Sequence, residues 1–173
     1  MPQKGLTIIF TGDGKGKTTA ALGQVLRAAG HGLKACVVQF IKGKWPTGEA
    51  KAMREMAGLC EFHTMGSGFT WKSSEQDTLK AAQEAWKLAE EKVMSGDYDL
   101  VVLDELTYLV TYELLDEADI LNLIDRRPSH VDLVITGRNA TPGMVAAADL
   151  VTEMRLIKHP YDKGIKARKG IEF

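Results

Sequence analysis

The sequence predicts an α/β domain built on a doubly wound, mostly parallel sheet. Three observations predict it: short runs rich in Val, Ile and Leu, helical patterns between those runs, and this alternation sustained along all 173 residues. Strands buried on both faces read as unbroken apolar runs, and a strand–helix–strand order sets right-handed crossover helices on both sides of a parallel sheet. The length suits one domain spanning residues 1–173.

Residues 6–11 form the first expected strand, and a glycine-rich stretch leads from it into a helix over 17–29 that Gly30 ends. A second strand is expected over 34–40, and residues 60–64 are a weaker candidate for another. Residues 75–94 repeat apolar side chains at Leu79, Ala82, Trp86, Ala89 and Val93, a spacing that makes one buried face on a long helix. Ser73 and Ser74 suit its cap and Gly96 its stop. Further strands are expected over 100–104, 132–137 and 150–157, with a helix over 116–125. Thr141-Pro142 opens a short helix, because proline is tolerated in a first turn. Loops of functional length cover 42–48 and 65–74, and the basic end, 158–173, reads as solvated surface.

Hydrophobic residues make up 45% and charged residues 26%, which excludes collagen-like, disordered and disulfide-scaffold classes. Lys and Arg total 22 against 23 Asp and Glu, a net charge of −1, so there is no overall field for a polyanion and any phosphate site is local. Cys36 and Cys60 lack metal-ligand spacing and read as buried, reduced thiols. The first apolar stretch is too short for a signal-peptide core and no run reaches the roughly 18 residues of a membrane helix, so a cytoplasmic location is expected.

The most informative segment is Thr11-Gly12-Asp13-Gly14-Lys15-Gly16-Lys17-Thr18-Thr19, after a strand and before a helix. Glycines let backbone N–H groups turn inward, the helix N-terminus adds positive potential, Lys17 offers an ammonium and Thr18 a hydroxyl for magnesium. The familiar pattern is GxxxxGK[ST]; here Thr11 stands where the first glycine is usual. At the end of the 100–104 strand, Asp104 and Glu105 stand where a phosphate-bound magnesium needs oxygen ligands, although acids capping the next helix would look the same. Arg138 follows another strand and suits either a bidentate phosphate contact or a surface ion pair. Phe69 and Trp71, two apart in a glycine-flanked loop, read either as a plug into the core or as a wall for a large flat ligand, with Trp45 near the same rim. No Ser/His/Asp order or metal-binding cluster stands out, and His31, His63, His130 and His159 read as structural.

Taken together, GDGKGKTTAA, VVQFIKGKWPTGE, GFTW, VVLDELTY, ITGR and KHPYDKGIKARKGIEF, in this order and spacing, resemble the P-loop ATP:corrinoid adenosyltransferases, including those acting on cob(I)yrinic acid a,c-diamide. The resemblance covers essentially residues 6–173 and implies a P-loop NTPase, RecA-like architecture. It implies attack by a cob(I) corrinoid on the 5′ carbon of ATP, forming a cobalt–carbon bond and expelling triphosphate, in adenosylcobalamin biosynthesis or corrinoid salvage. Residue by residue, Gly12, Asp13, Gly14, Lys15, Gly16, Lys17, Thr18 and Thr19 would bind the triphosphate, and Thr18 and Glu105 would bind Mg2+, or Mn2+ in its place. Lys17 and Arg138 would meet the phosphates, Arg27 would contact the nucleotide, and Phe69 and Trp71 would displace the lower axial ligand of cobalt. A flavoprotein reductant and a homodimer are also implied, with no nucleic-acid or membrane partner. Some members carry an N-terminal helical extension over the corrinoid, whereas this chain begins almost at its first strand. The competing readings are a P-loop phosphotransferase or ATPase releasing ADP, and a carrier that binds without turnover.

Overall fold

The computed structural model describes residues 4–41, 47–56, 58–65 and 75–171. Six strands among them, β1 (Thr7–Thr11), β2 (Ala35–Gln39), β3 (Cys60–Thr64), β4 (Leu100–Asp104), β5 (Asp132–Thr136) and β6 (Leu150–Glu153), form one sheet in the order β3-β2-β4-β5-β1-β6. Every pairing is parallel, so the sheet is wholly rather than mostly parallel. The helices are α1 (Lys17–Gly30), α2 (Gly48–Glu55), α3 (Glu75–Ser95), α4 (Thr107–Thr111), α5 (Glu117–Arg126) and α6 (Pro142–Ala147), and a 3-10 turn covers Pro160–Lys163.

Alternation along the strands divides the core in two. Phe10, Val37, Val102 and Val134 meet Ala21, Leu22 and Val25 of α1 and Met53 of α2 on one face. Ile9, Val38, Leu103 and Ile135 meet α3, α5 and α6 on the other through Ala85, Ile120 and Met144. Each five-residue inner strand is therefore apolar through its middle, with polar residues only at its ends, and that pattern makes the runs readable as strands. Among the described residues no helix is long and apolar enough to cross a membrane.

Several expected boundaries shift for physical reasons. α1 includes Gly30, and the left-handed residue after it is Gly32, φ 75°, while Leu33 N–H reaches back to Ala28 O. In α3 the buried stripe is Ala82, Ala85, Ala89 and Val93, with Trp86 partly buried beside it. Leu79, expected inside, is 40% exposed. A 21-residue helix runs about 31 Å and overhangs a five-residue strand of about 17 Å, so its first turns leave the sheet behind. The last strand stops at Glu153 instead of 157, with all four residues exposed at the sheet edge. Helices α2 and α4 were not anticipated; α2 starts where Thr47 Oγ1 accepts from Ala50 N–H. Ser73 and Ser74 lie outside the described residues.

The thiols differ from one another: Cys36 is buried and Cys60 half-buried, and neither is in a disulfide. Burial pushes them up to about 12 and about 11. At the β3 edge, Glu61 accepts from Lys92 Nζ at 2.8 Å and from the Tyr98 hydroxyl, and lies 2.6 Å from His63 Nε2. Burial alone would raise the Glu61 pKa, but these partners outweigh it and bring it down to about 2. This cluster ties β3 to the end of α3, and the ligand atoms of His63, Glu61 and Cys36 all lie within 4.8 Å of one another.

Candidate active site

The functional residues gather at the C-terminal ends of the strands, where a doubly wound sheet opens. The loop between β1 and α1 turns at Gly12 (φ 92°) and Gly16 (φ 112°), angles that side-chain-bearing residues rarely adopt. Gly14 meets a different demand. The chain leaving β6 crosses directly over it, so that Gly14 N–H donates to Met154 O at 2.7 Å and a Cβ there would lie 2.7 Å from the same oxygen. Met154 N–H in turn donates to Thr11 O at 2.8 Å, pinning the crossing segment to β1. Lys17 Nζ donates to Gly12 O at 2.6 Å and Gly14 O at 2.7 Å. Its pKa is lowered, first by burial and then by the Arg138 charge.

β5 stands between β1, which carries the loop, and β4, which carries Asp104. Gln39 and Asp104 are register partners across β2 and β4, so their side chains share one face. Asp104 is wholly buried and receives three hydrogen bonds. Thr18 Oγ1 (2.9 Å) and Thr136 Oγ1 (2.7 Å) donate to its Oδ1, and Gln39 Nε2 (2.8 Å) donates to its Oδ2. With its proton committed to Asp104, the Thr18 hydroxyl presents lone pairs elsewhere, the orientation a hard cation requires. Glu105 follows in a left-handed conformation, φ 66°, with its N–H donating to Thr136 Oγ1 at 2.9 Å.

Arg138 reaches the same rim. Its Nε lies 3.7 Å from Asp13 Oδ1, with the two side chains 50% and 72% exposed. Such an open pair is worth little, so of the two expected readings the structure shows the surface ion pair and leaves the guanidinium at the rim of the loop. Thr107 Oγ1 donates to Arg138 O at 2.6 Å and fixes the turn that carries it. Tyr108 lies close enough to feel Arg138, Glu105 and Asp13, although its raised pKa is due first to burial, and it stacks on Tyr112 with ring centroids 6.1 Å apart.

The site's architecture and this chain's similarities agree. The sequence matches the family described as ATP:corrinoid adenosyltransferase BtuR/CobO/CobP over residues 3–173. The chain belongs to the ATP:corrinoid adenosyltransferase family. It is 45% identical to the corrinoid adenosyltransferase of Pseudomonas aeruginosa over 172 residues, covering 99% of this chain and 85% of that one. It is 44% identical to the corrinoid adenosyltransferase of Escherichia coli K12, covering 99% and 87%, and 42% identical to that of Sinorhizobium, covering 99% and 81%.

Of the residues anticipated for this adenosyltransferase site, the structure brings together the loop 12–19, Glu105 and Arg138. It does not bring Arg27 to them. Ten residues of helix, about 15 Å, separate Arg27 from Lys17, and its Nη1 donates to Gln24 Oε1 at 3.3 Å. It lines a cavity of about 370 Å³ with Leu33, Asp99 and Asp132, at the N-terminal ends of the strands. Within one chain Arg27 therefore lies at the opposite end of the strands from the loop. Trp45, Phe69 and Trp71 lie outside the described residues. Sequence reasoning missed Gln39, Thr136 and Met154. Gln39 and Thr136 had a signal, a polar side chain closing an apolar strand, and Met154 had none.

Proposed function

We propose that this chain transfers the 5′-deoxyadenosyl group of ATP to the cobalt of a corrinoid reduced to cob(I), with inorganic triphosphate as the leaving group. The cob(I) electron pair forms the cobalt–carbon bond as the C5′–O bond breaks, and the bonding electrons leave on the triphosphate. The observation that carries the reading is the state of Asp104. All three of its close partners donate to it, so the carboxylate best placed at the strand ends serves to orient Thr18 rather than to take a proton from an acceptor hydroxyl. A substrate nucleophile that carries no proton needs no base, and the protein's share is to position ATP, stabilise the leaving group and exclude water.

In this reading the loop 12–19 cradles the triphosphate, with Lys17 and Arg138 on its oxygens. The donor set of Thr18 Oγ1 and the Glu105 carboxylate suits magnesium. The buried Gln39 Oε1, which has no hydrogen-bond partner among the described residues, is an acceptor fitted to a hydrated cation nearby. Bound there, magnesium would neutralise charge on the leaving triphosphate. Phe69 and Trp71 are assigned to the corrinoid, where they displace the lower axial ligand so that a flavoprotein can reduce cobalt(II). Phe69→Ala or Trp71→Ala should impair turnover of cob(II)alamin more than of pre-reduced corrinoid; equal losses would refute that role. A homodimer in the cytoplasm completes the proposal, and sedimentation showing only monomer would refute the dimer.

The deciding experiment is an anaerobic incubation with ATP, magnesium and chemically reduced cob(I)alamin. A light-sensitive alkylcobalamin spectrum with triphosphate as co-product is expected. ADP without a cobalt–carbon bond would overturn the proposal in favour of a phosphotransferase.

A further inference from the structure

Gln39 ends β2 one strand away from Asp104, in a row that runs Gln39, Asp104 and Thr136 across β2, β4 and β5. It is 1% exposed. A glutamine in the last position of an otherwise apolar, fully buried strand is an expensive choice, since burying an amide without hydrogen bonds costs free energy that Leu or Met would not. Half of that cost is met, because Nε2 donates to Asp104 Oδ2 at 2.8 Å. The other half is not: Oε1 has no partner among the described residues. Such orphans are rare in native proteins and point to a group that arrives later.

From this we infer that Gln39 is a positioning residue of the metal–nucleotide site. Its donor half fixes the carboxylate of Asp104, so that Oδ1 remains aimed at the Thr18 hydroxyl. Its acceptor half takes a hydrogen bond from a water of the magnesium shell. The two halves lie on one planar amide, so in this inference a single side chain would couple the carboxylate that orients Thr18 to the water shell of the ion. Thr136 restrains Oδ1 from the opposite side of the row but has its hydroxyl engaged at both ends, with Asp104 and Glu105 N–H, and so lacks the second function. Outer-shell partners of this kind tune metal affinity by roughly 10- to 100-fold.

The inference rests on the magnesium reading of Thr18 and Glu105, and the test separates the two. ATP affinity is measured by titration calorimetry in magnesium and again in EDTA, for the full-length protein and for Gln39→Leu, Gln39→Asn and Thr18→Ala. The quantity read is the factor by which magnesium tightens ATP binding. Gln39→Leu should reduce that factor about 10-fold while leaving ATP affinity in EDTA within about twofold of the parent. Gln39→Asn keeps a buried amide but falls one methylene short of Asp104, so it should show the same loss and serves if the leucine variant does not fold. An undiminished magnesium factor in a folded Gln39 variant, with Thr18→Ala reduced, would overturn the role of Gln39 alone. Equal losses of ATP affinity with and without magnesium would overturn it too, as a general packing effect. A parent protein whose ATP affinity ignores magnesium would overturn the metal reading and this inference with it.

Discussion

Replacing Thr136 by valine removes one oxygen from the centre of the site and almost no volume. The hydroxyl donates to Asp104 Oδ1 at 2.7 Å and accepts from Glu105 N–H at 2.9 Å, and Thr136 is fully buried. Valine keeps the β-branched shape that suits a central strand, so backbone pairing with β1 survives. A hydrogen bond to an ionised carboxylate contributes about 1.5–3 kcal/mol, and a donor left unpaired away from water costs about 1–3 kcal/mol. Burying the new methyl returns about 0.8 kcal/mol. The balance is a destabilisation of about 2–5 kcal/mol, concentrated where Glu105 is held at φ 66°, a conformation that itself costs about 1–2 kcal/mol in a non-glycine residue. Urea unfolding should show a lower midpoint with an unchanged slope. Thr136→Ser restores the oxygen and should recover most of the loss, and both variants should be compared for ATP binding in magnesium. Stability of Thr136→Val within about 0.5 kcal/mol of the parent would refute the claim that the Asp104 row holds this end of the sheet together.

Gly14→Ala places a Cβ 2.7 Å from Met154 O, 2.8 Å from Met154 C and 2.9 Å from Arg155 C, all backbone, and should cost about 1–3 kcal/mol and weaken ATP binding. Unchanged thermal unfolding and ATP affinity would show instead that the segment after β6 moves aside freely. Glu61, held down at about 2 in the fold, contributes stability present above its ordinary value near 4.5 and lost as pH falls from there towards 2. Because the side chain is 39% exposed, the contribution is discounted to about 1 kcal/mol. Glu61→Gln should therefore lose that amount at neutral pH and nothing near pH 2, and a pH-independent difference in urea unfolding would refute the assignment. Burial and Arg138 lower the Lys17 pKa, so the alkaline limb of kcat/KM should begin below the ordinary lysine value of 10.5. Lys17→Ala should flatten that limb and lower kcat/KM by about 10²–10³-fold; near-parental kcat/KM would exclude Lys17 from the leaving-group contacts.

Much of this arrangement was legible in the sequence because it is written locally. The loop is contiguous, its strand and helix flanks are strong patterns, and β1, β2, β4 and β5 have apolar middles since both faces are covered. Asp104, Glu105 and Arg138 could be placed at strand ends by reading where those runs stopped. What escaped was lateral. Nothing in the spacing of Gln39, Asp104 and Thr136 says that β2, β4 and β5 are neighbours, because strand order is a property of the crossovers rather than of any segment. Met154 over Gly14 is likewise a contact across 140 residues of chain, and no local preference specifies it. Arg27 shows the opposite failure: a motif position carried along a sequence ignores the three turns of helix that lead away from the loop.

The charges around the loop argue for the cation more strongly than any one ligand does. Lys15, Lys17 and Arg138 supply positive charge, and Asp13, Asp104, Glu105 and Glu153, whose side chain lies against Gly12, supply negative charge, so the described rim is not positive before anything binds. A triphosphate added there would face these carboxylates. The helix N-terminus at Gly16 offsets part of that repulsion, about half an elementary charge. A buried carboxylate satisfied by three donors cannot relieve the rest by moving away, and Asp104 is such a group. In the proposed function, a divalent ion held by Thr18 and Glu105 would turn the same carboxylates from a source of repulsion into ligands and supports. If the row that organises the site serves a bound cation, as proposed, ATP without magnesium should bind weakly.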